Sequence, residues 1–210
     1  EYAGVEGSSS CTNCEAGRSL SDDAKSASAH DASEDCTVCE AGSYSLAAAS
    51  QCLDCYAGKY LTGDVDGSAA AHESESKCIV CSSGQYSDKR AKECTGCPKG
   101  KYIDDNKSDE TEHAGESSCT ICGSGEYAGV EGSSSCTNCE AGRYLTDEAG
   151  SPSAHDAESD CTLCTLGSWS SEKAAECSLC EIGRYLEGGN ESSAHDSIAD
   201  CLQCVIGKYN

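Results

Sequence analysis

Apolar side chains in this chain are concentrated at one recurring pattern, Cys-x-x-Cys-x-x-Gly-x-aromatic, and polar stretches separate its copies. Steps of 24 to 26 residues between successive Cys-x-x-Cys pairs alternate with steps of 16 or 17 residues. A long and a short step together form a super-repeat, and repeats of this length are typical of stacked arrays. The pattern therefore predicts an elongated tandem-repeat rod. The ten pairs begin at Cys11, Cys36, Cys52, Cys78, Cys94, Cys119, Cys136, Cys161, Cys177 and Cys201.

Each step predicts little regular structure. The spacer of a short step, such as 44–52, has room for little more than a β-turn and two short strands, and the glycine of the motif suits a turn with positive φ. The spacer of a long step, such as 21–36, is polar and shows no apolar periodicity, so it is predicted to be loop. The predicted fold is small, disulfide-rich and mostly irregular, with short β-strands and little helix. The predicted super-repeats are 1–51, 52–93, 94–135, 136–176 and 177–210, of which the first and last are partial.

Composition shows what must hold such a rod together. The chain has no Phe, no Met and one Trp, but it has 20 Cys. So few large side chains cannot bury enough apolar surface to offset chain entropy, so cross-links must replace the core. Zinc is the rival interpretation of paired cysteines, but four thiolates around each Zn²⁺ would add negative charge to a chain already at −23. Disulfides are therefore preferred, and they predict an extracellular or secreted protein.

At this point the motif resembles known families. The segment 97–102, Cys-Pro-Lys-Gly-Lys-Tyr, and its looser copies resemble the cysteine-rich repeats of tumour-necrosis-factor receptors and the ephrin-receptor-like repeats of secreted proteins. The resemblance covers essentially the whole chain and is specific for a disulfide-rich module, but it does not specify a function. This chain also departs from the receptor pattern, because the receptor modules alternate with differently spaced ones.

The resemblance implies a staggered pairing, in which the second cysteine of one pair bonds to the first cysteine of the next. The sequence leaves a closed alternative open, in which Cys11 bonds to Cys36 and Cys14 to Cys39. The staggered pairing leaves Cys11 and Cys204 as candidates for disulfides between units. Its bonds would be Cys14–Cys36, Cys39–Cys52, Cys55–Cys78, Cys81–Cys94, Cys97–Cys119, Cys122–Cys136, Cys139–Cys161, Cys164–Cys177 and Cys180–Cys201.

The acidic charge limits the partners. A net charge of −23 excludes nucleic acid and disfavours anionic membranes, and no apolar stretch is long enough for membrane insertion. Calcium is the one cofactor that the acids allow, near Asp104–Glu110, although that segment lacks the glycine and closing glutamate of an EF-hand. No catalytic constellation is evident, so the sequence predicts no enzyme, no catalytic residue and no dedicated metal site.

One histidine precedes every second cysteine pair by six residues, and its role is open between a structural residue, a metal ligand and a pH switch. The five are His30, His72, His113, His155 and His195. Two sequons, at Asn106 and Asn190, predict N-glycans in a secreted protein.

Two functions fit the chain. The first is a structural subunit or segment of an extracellular fibre, with copies of the chain itself as head-to-tail partners. The alternative is a stalk or ligand-binding ectodomain of a receptor or adhesion protein. The fibre is favoured because the repeats are nearly interchangeable: residues 1–18 are identical to residues 126–143. The sequence also begins and stops at equivalent points of the super-repeat, Tyr2 and Tyr209, as expected for a window cut from a longer repeat or for chains that abut.

Overall fold

The computed structural model describes residues 1–21, 27–63, 67–104, 109–146 and 150–205. The chain divides into two compact units. One consists of Glu1–Thr95 and Asn106–Ser118, and the other of Gly96–Asp105 and Cys119–Asn210. The predicted candidates Asn106 and Tyr209 lie outside the described residues.

Nine disulfides join the described cysteines in the staggered pairing, from Cys14–Cys36 through to Cys180–Cys201. Because Cys36 bonds to Cys14, the closed pairing of Cys11 with Cys36 does not occur. Cys11 is exposed, Cys204 is half-buried, and neither forms a disulfide within the chain. These bonds show a cysteine-rich repeat architecture.

We call the segment closed by each disulfide a module. The long modules are Cys14–Cys36, Cys55–Cys78, Cys97–Cys119, Cys139–Cys161 and Cys180–Cys201. The short modules are Cys39–Cys52, Cys81–Cys94, Cys122–Cys136 and Cys164–Cys177.

The strands are two residues long, and the two strands of an antiparallel hairpin lie on either side of a module's polar segment. The hairpin of module Cys139–Cys161, for example, pairs Arg143 with Leu163 and Tyr144 with Thr162. Two further strands are Gln85–Tyr86 and Thr95–Gly96. The paired strands are Arg18–Ser19 with Thr37–Val38, Ser43–Tyr44 with Leu53–Asp54, Lys59–Tyr60 with Ile79–Val80, Lys101–Tyr102 with Thr120–Ile121, Glu126–Tyr127 with Thr137–Asn138, Arg143–Tyr144 with Thr162–Leu163, Ser168–Trp169 with Ser178–Leu179, and Arg184–Tyr185 with Leu202–Gln203.

The segments predicted to be loop in the long modules contain 3₁₀ turns of three or four residues, two in each module. The turns are Ala27–Ala29 and Ser33–Asp35, Ala69–His72 and Glu75–Lys77, Glu110–His113 and Glu116–Ser118, Pro152–Ala154 and Glu158–Asp160, and Ser192–Ala194 and Ile198–Asp200. The prediction of little helix is confirmed, since no described helix is longer. None of the described helices has the length and hydropathy that a membrane span requires.

The buried residues form small clusters around disulfides. In one cluster, Leu145 packs with the Cys139–Cys161 disulfide, and Tyr127 of the preceding short module packs against it. A second cluster joins Tyr44 to Leu61 and to both cysteines of the next long module, Cys55 and Cys78. At these two joints an aromatic side chain packs with a disulfide, and the residue that follows the aromatic of the next module is also part of the core.

Candidate functional site: the interface between successive modules

The glycine of the motif is the point where the next module binds. The Gly142 N–H donates to the Ser170 carbonyl of the following short module at 2.9 Å, and the Gly125 N–H donates to the Leu145 carbonyl of the following long module at 2.8 Å. The same backbone bond therefore joins long to short and short to long modules. Equivalent bonds are Gly17 to Ser45, Gly42 to Leu61, Gly58 to Ser87 and Gly100 to Ala128.

The same glycine also contacts the module two positions along the chain. Gly142 has a φ of +86°, and a Cβ added there would overlap the backbone of Ser192 in the next long module. A side chain is thus excluded both by backbone conformation and by packing. Each such module is covered by the next module and by the one after it. Equivalent close approaches are Ala69 to Gly17, Arg90 to Gly42, Glu110 to Gly58, Pro152 to Gly100 and Lys173 to Gly125.

The histidine of each long module clamps the chain that precedes the module, which in four of the five cases is a short module. His155 Nδ1 lies 2.8 Å from the Glu126 carbonyl, and the Ala128 N–H donates to the His155 carbonyl at 2.8 Å. Because a carbonyl only accepts, Nδ1 is the donor and carries the proton. The corresponding Nδ1 contacts are His72 to Ser43 and His113 to Gln85 at 2.7 Å, His195 to Ser168 at 2.8 Å and His30 to Glu1 at 3.1 Å.

Burial explains why histidine recurs at this position. Four of the five rings are at most 2% exposed, and His30 is half-buried. A buried polar group needs a partner, and imidazole fills the space while donating to the backbone of its neighbour. Among the three roles left open by the sequence, the geometry assigns the structural one.

A tight turn in each short module binds the preceding long module. Lys173, in the turn of module Cys164–Cys177, has a φ of +62° and donates its N–H to the Cys139 carbonyl at 3.0 Å. The Leu145 N–H then donates to the Ala174 carbonyl at 3.0 Å. Ala48, Arg90 and Gly132 occupy the same position with positive φ, and their N–H groups donate to Cys14, Cys55 and Cys97.

Side chains also meet between successive short modules, at a position we call the turn contact. One partner is the second residue after the closing cysteine of a short module. The other partner is the third residue after the aromatic of the next short module. Lys89 Nζ lies 3.3 Å from Asp54 Oδ2, and Asn138 Nδ2 donates to Glu172 Oε1 at 2.9 Å. The two partners are chemically complementary in both cases.

Two alternating positions at the interface were not identified from the sequence. The residue after the aromatic is Leu or Ile in long modules but Ser or Ala in short ones, and the Ser170 hydroxyl donates to the Arg143 carbonyl at 2.8 Å. The residue after the motif glycine is Arg or Lys in every long module. Arg143 Nη1, for example, donates to the Cys161 carbonyl at 2.9 Å. Both positions become visible when the long modules and the short modules are aligned separately.

Two ionisable groups respond to contacts between long modules. The hydrogen bond from Lys59 to Glu110 of the next long module raises the pKa of Lys59, and the two groups lie 2.8 Å apart. A hydrogen bond from Ser192, together with a hydrogen bond from Arg143, lowers the pKa of Glu140. Both pKa shifts arise from a hydrogen bond between the charged group and a residue of the next long module.

The remaining candidates are distributed over the surface. Asn190 is exposed in the long module Cys180–Cys201, as a glycan acceptor must be. Within the described ranges, no three His, Cys, Asp or Glu side chains are grouped to hold a metal ion. The calcium candidate near Asp104–Glu110 falls mainly on residues 105–108, outside the described residues, and stays a prediction.

Comparison of the chain with protein-family models and with curated proteins finds no match. The architecture is therefore defined by its own geometry, as a tandem cysteine-rich repeat with extensive disulfide bonding. Such bonding is consistent with an extracellular or secreted protein.

Proposed function

We propose that this chain is a structural subunit or segment of an extracellular fibre built from disulfide-stapled cysteine-rich repeats. The observation that carries the proposal is the module interface. Within the two units, the same backbone hydrogen bond from a motif glycine joins six described pairs of successive modules, whatever side chains the two modules carry. A head-to-tail contact that repeats without closing generates a filament.

The physical properties of the modules suit this role. Each disulfide is worth about 3 kcal/mol in the chain-entropy model. Every module, long or short, is therefore stabilised by its own disulfide although it has little core. The net charge of −23 keeps such an array solvated and self-repelling. We further propose that the repeats are of the ephrin-receptor-like or tumour-necrosis-factor-receptor-like type, that Asn106 and Asn190 carry N-glycans, and that the chain has no catalytic activity.

The proposed partner is the chain itself. Cys11 and Cys204 are the two cysteines without a disulfide in the chain, and in the staggered pairing each needs one partner. We propose that Cys204 of one copy bonds to Cys11 of the next. The two thiols would lose two protons and two electrons to a small-molecule disulfide, which is reduced to two thiols.

Negative-stain electron microscopy of the native material tests the proposal. Filaments are expected, and a non-reducing peptide map should contain a peptide that links Cys11 to Cys204. Discrete rods of uniform length would contradict the fibre. Unmodified Asn106 and Asn190 in the same map would contradict the glycans.

One observation favours the receptor alternative. Tyr56, Leu53 and Ile79 are all about half exposed, and Leu53 and Ile79 occupy a position that is Thr or Ser in most copies of the motif. Exposed apolar side chains that interrupt an acidic surface are typical of a binding site. Discrete particles in the microscope, together with a bound partner lost in Ile79→Ser, would support this second function.

A further inference from the structure

A groove lies in the second unit, where the short module Cys164–Cys177 meets the long module Cys180–Cys201. It encloses about 390 Å³. Leu166 is 73% exposed and Leu179 is 79% exposed, although both are large apolar side chains. Leu166, Gly167, Leu179, Cys180, Tyr185 and Leu186 line it.

The equivalent groove one super-repeat earlier is filled by a module. There the Lys173 backbone lies against Gly125, and the Ala174 carbonyl accepts from the Leu145 N–H. At Gly167 and Gly183, by contrast, no described residue comes within 4 Å of the position that a Cβ would take. The groove is thus a module-binding surface of the kind seen within the chain, continuous with an interface that the chain already uses.

The chain contains a segment that binds such a surface. Residues 1–18 are identical to residues 126–143. In the second copy of this segment, the Gly132 N–H donates to the Cys97 carbonyl at 2.8 Å, and the Ile103 N–H donates to the Ser133 carbonyl at 3.3 Å. The equivalents of Cys97 and Ile103 in the last long module are Cys180 and Leu186, two residues that line the groove.

Residues 1–18 have the same local conformation as the bound copy. Gly7 has a φ of +79° and Gly132 a φ of +75°. Tyr2 bridges to Thr12, as Tyr127 pairs with Thr137. The segment is therefore already shaped for the interaction.

The turn contact provides an independent match. Its two described side-chain pairs are acid with base, Asp54 with Lys89, and amide with carboxylate, Asn138 with Glu172. At the groove the corresponding position is Leu179, and in residues 1–18 it is Val5, which is 74% exposed. An apolar side chain would thus meet an apolar one, which removes both from water.

We propose that this groove binds residues 1–18 of a second copy of the chain. The Gly7 N–H donates to the Cys180 carbonyl, the Leu186 N–H donates to the Ser8 carbonyl, and Val5 packs on Leu179. This inference rests on the proposed fibre and names the surface through which its subunits bind.

Sedimentation equilibrium of the whole chain tests the interface, with Cys11→Ser and Cys204→Ser present throughout so that association is non-covalent. Concentration-dependent association is expected. Leu179→Asp should raise the dissociation constant at least about tenfold, because a carboxylate would be placed against Val5. Adding Val5→Lys should restore most of the affinity, because the double variant copies the Asp54–Lys89 pair.

Val130→Lys is the matched control. Val130 occupies the same place in the identical segment and is 66% exposed, but that segment is already bound within the chain. Its substitution should leave the dissociation constant unchanged. A chain that is monomeric at every concentration, or association that Leu179→Asp does not weaken, would overturn this interface. If the chain with its native cysteines still forms normal filaments when it carries Leu179→Asp, this interface is overturned but the proposed fibre stands.

Discussion

The long module Cys139–Cys161 and the short module Cys164–Cys177 share a motif, a hairpin and a disulfide, but they contact their neighbours through different parts. The long module reaches back with its loop, where His155 binds the Glu126 carbonyl. The short module reaches back with its tight turn, where Lys173 binds the Cys139 carbonyl. Long modules therefore supply the hydrogen-bond donor to the short module before them, and short modules supply the donor to the long module before them.

The buried residue after the aromatic differs in the same way. It is Leu145 in the long module and Ser170 in the short one, and both are at most 7% exposed. The larger side chain packs on a disulfide, whereas the smaller one donates to the Arg143 carbonyl. The alternation of long and short steps is therefore a requirement of the interface, and two modules of one kind would not fit in succession.

Removing one disulfide of each kind should give the largest difference. The paired changes Cys139→Ser and Cys161→Ser remove a cross-link worth about 3 kcal/mol and place two hydroxyls in a buried site, which costs a further ~1–3 kcal/mol. Both cysteines are 1% exposed. The opening free energy of the module, measured by native-state hydrogen exchange, should fall by the sum.

The matched control is the pair Cys164→Ser and Cys177→Ser. Cys164 is 3% exposed but Cys177 is half-exposed, so one buried hydroxyl is introduced instead of two, and the loss should be smaller, about 3 kcal/mol for the cross-link plus the cost of a single buried hydroxyl. Equal losses in the two variants would show that burial does not distinguish the two kinds of module.

Gly142→Ala tests the close contact between the long module Cys139–Cys161 and the next long module, Cys180–Cys201. The added Cβ must avoid the Ser192 backbone as well as accept a φ of +86°, so a loss of roughly 2–3 kcal/mol in the opening free energy is expected. Gly183→Ala is the control, because Gly183 has the same φ but no described neighbour near its Cβ position. It should cost roughly 1–2 kcal/mol, the cost of the left-handed conformation alone. Equal costs would remove the evidence for this contact.

His155→Ala tests the clamp. It deletes a fully buried ring and a hydrogen bond to Glu126, so the hydrogen-exchange protection of Ala128 should fall by about 2–3 kcal/mol. The same change at His30, which is half-buried with a longer contact of 3.1 Å, should have a smaller effect on Ala3. A larger loss at His30 would contradict the clamp as the source of protection.

The contact between long modules should produce a small pH dependence. The hydrogen bond from Ser192 holds the pKa of Glu140 below its usual value of about 4.3, so this stabilisation is present above that value and is lost as pH falls through the lowered pKa. Ser192→Ala should raise the pKa of Glu140 in an NMR titration. An unchanged titration would mean that Ser192 does not reach the carboxylate.

The regular spacing of the cysteines made much of this fold readable from the sequence. The positive φ of the motif glycines follows from glycine recurring after each pair, and the structure has it at nine described positions, between +73° and +88°. The short strands were predicted because a short step has room for little else. The staggered disulfides came from a resemblance, and the sequence alone left the closed pairing open.

The contacts between modules were beyond the sequence for a physical reason. They are mainly backbone hydrogen bonds, such as Gly142 to Ser170, and backbone groups leave no trace in residue identity. The histidines repeat visibly, but their partner is a carbonyl that any residue could supply. Lys173 adopts positive φ without being glycine, so the turn that binds Cys139 carried no marker.

The central claim, that long and short modules must alternate, is tested most directly by comparing two deletions by hydrogen exchange. Deleting 139–179 removes one long and one short module and places Cys180 after Asn138, so the alternation survives. Deleting only 164–179 places one long module directly after another and removes the partners of Gly142 and Leu145. If the modules must alternate, the larger deletion should leave protection of Gly125 and Ala128 as in the parent chain, whereas the smaller one should abolish protection at Gly142 and Leu145. Protection that survives the smaller deletion as well as the larger would contradict it.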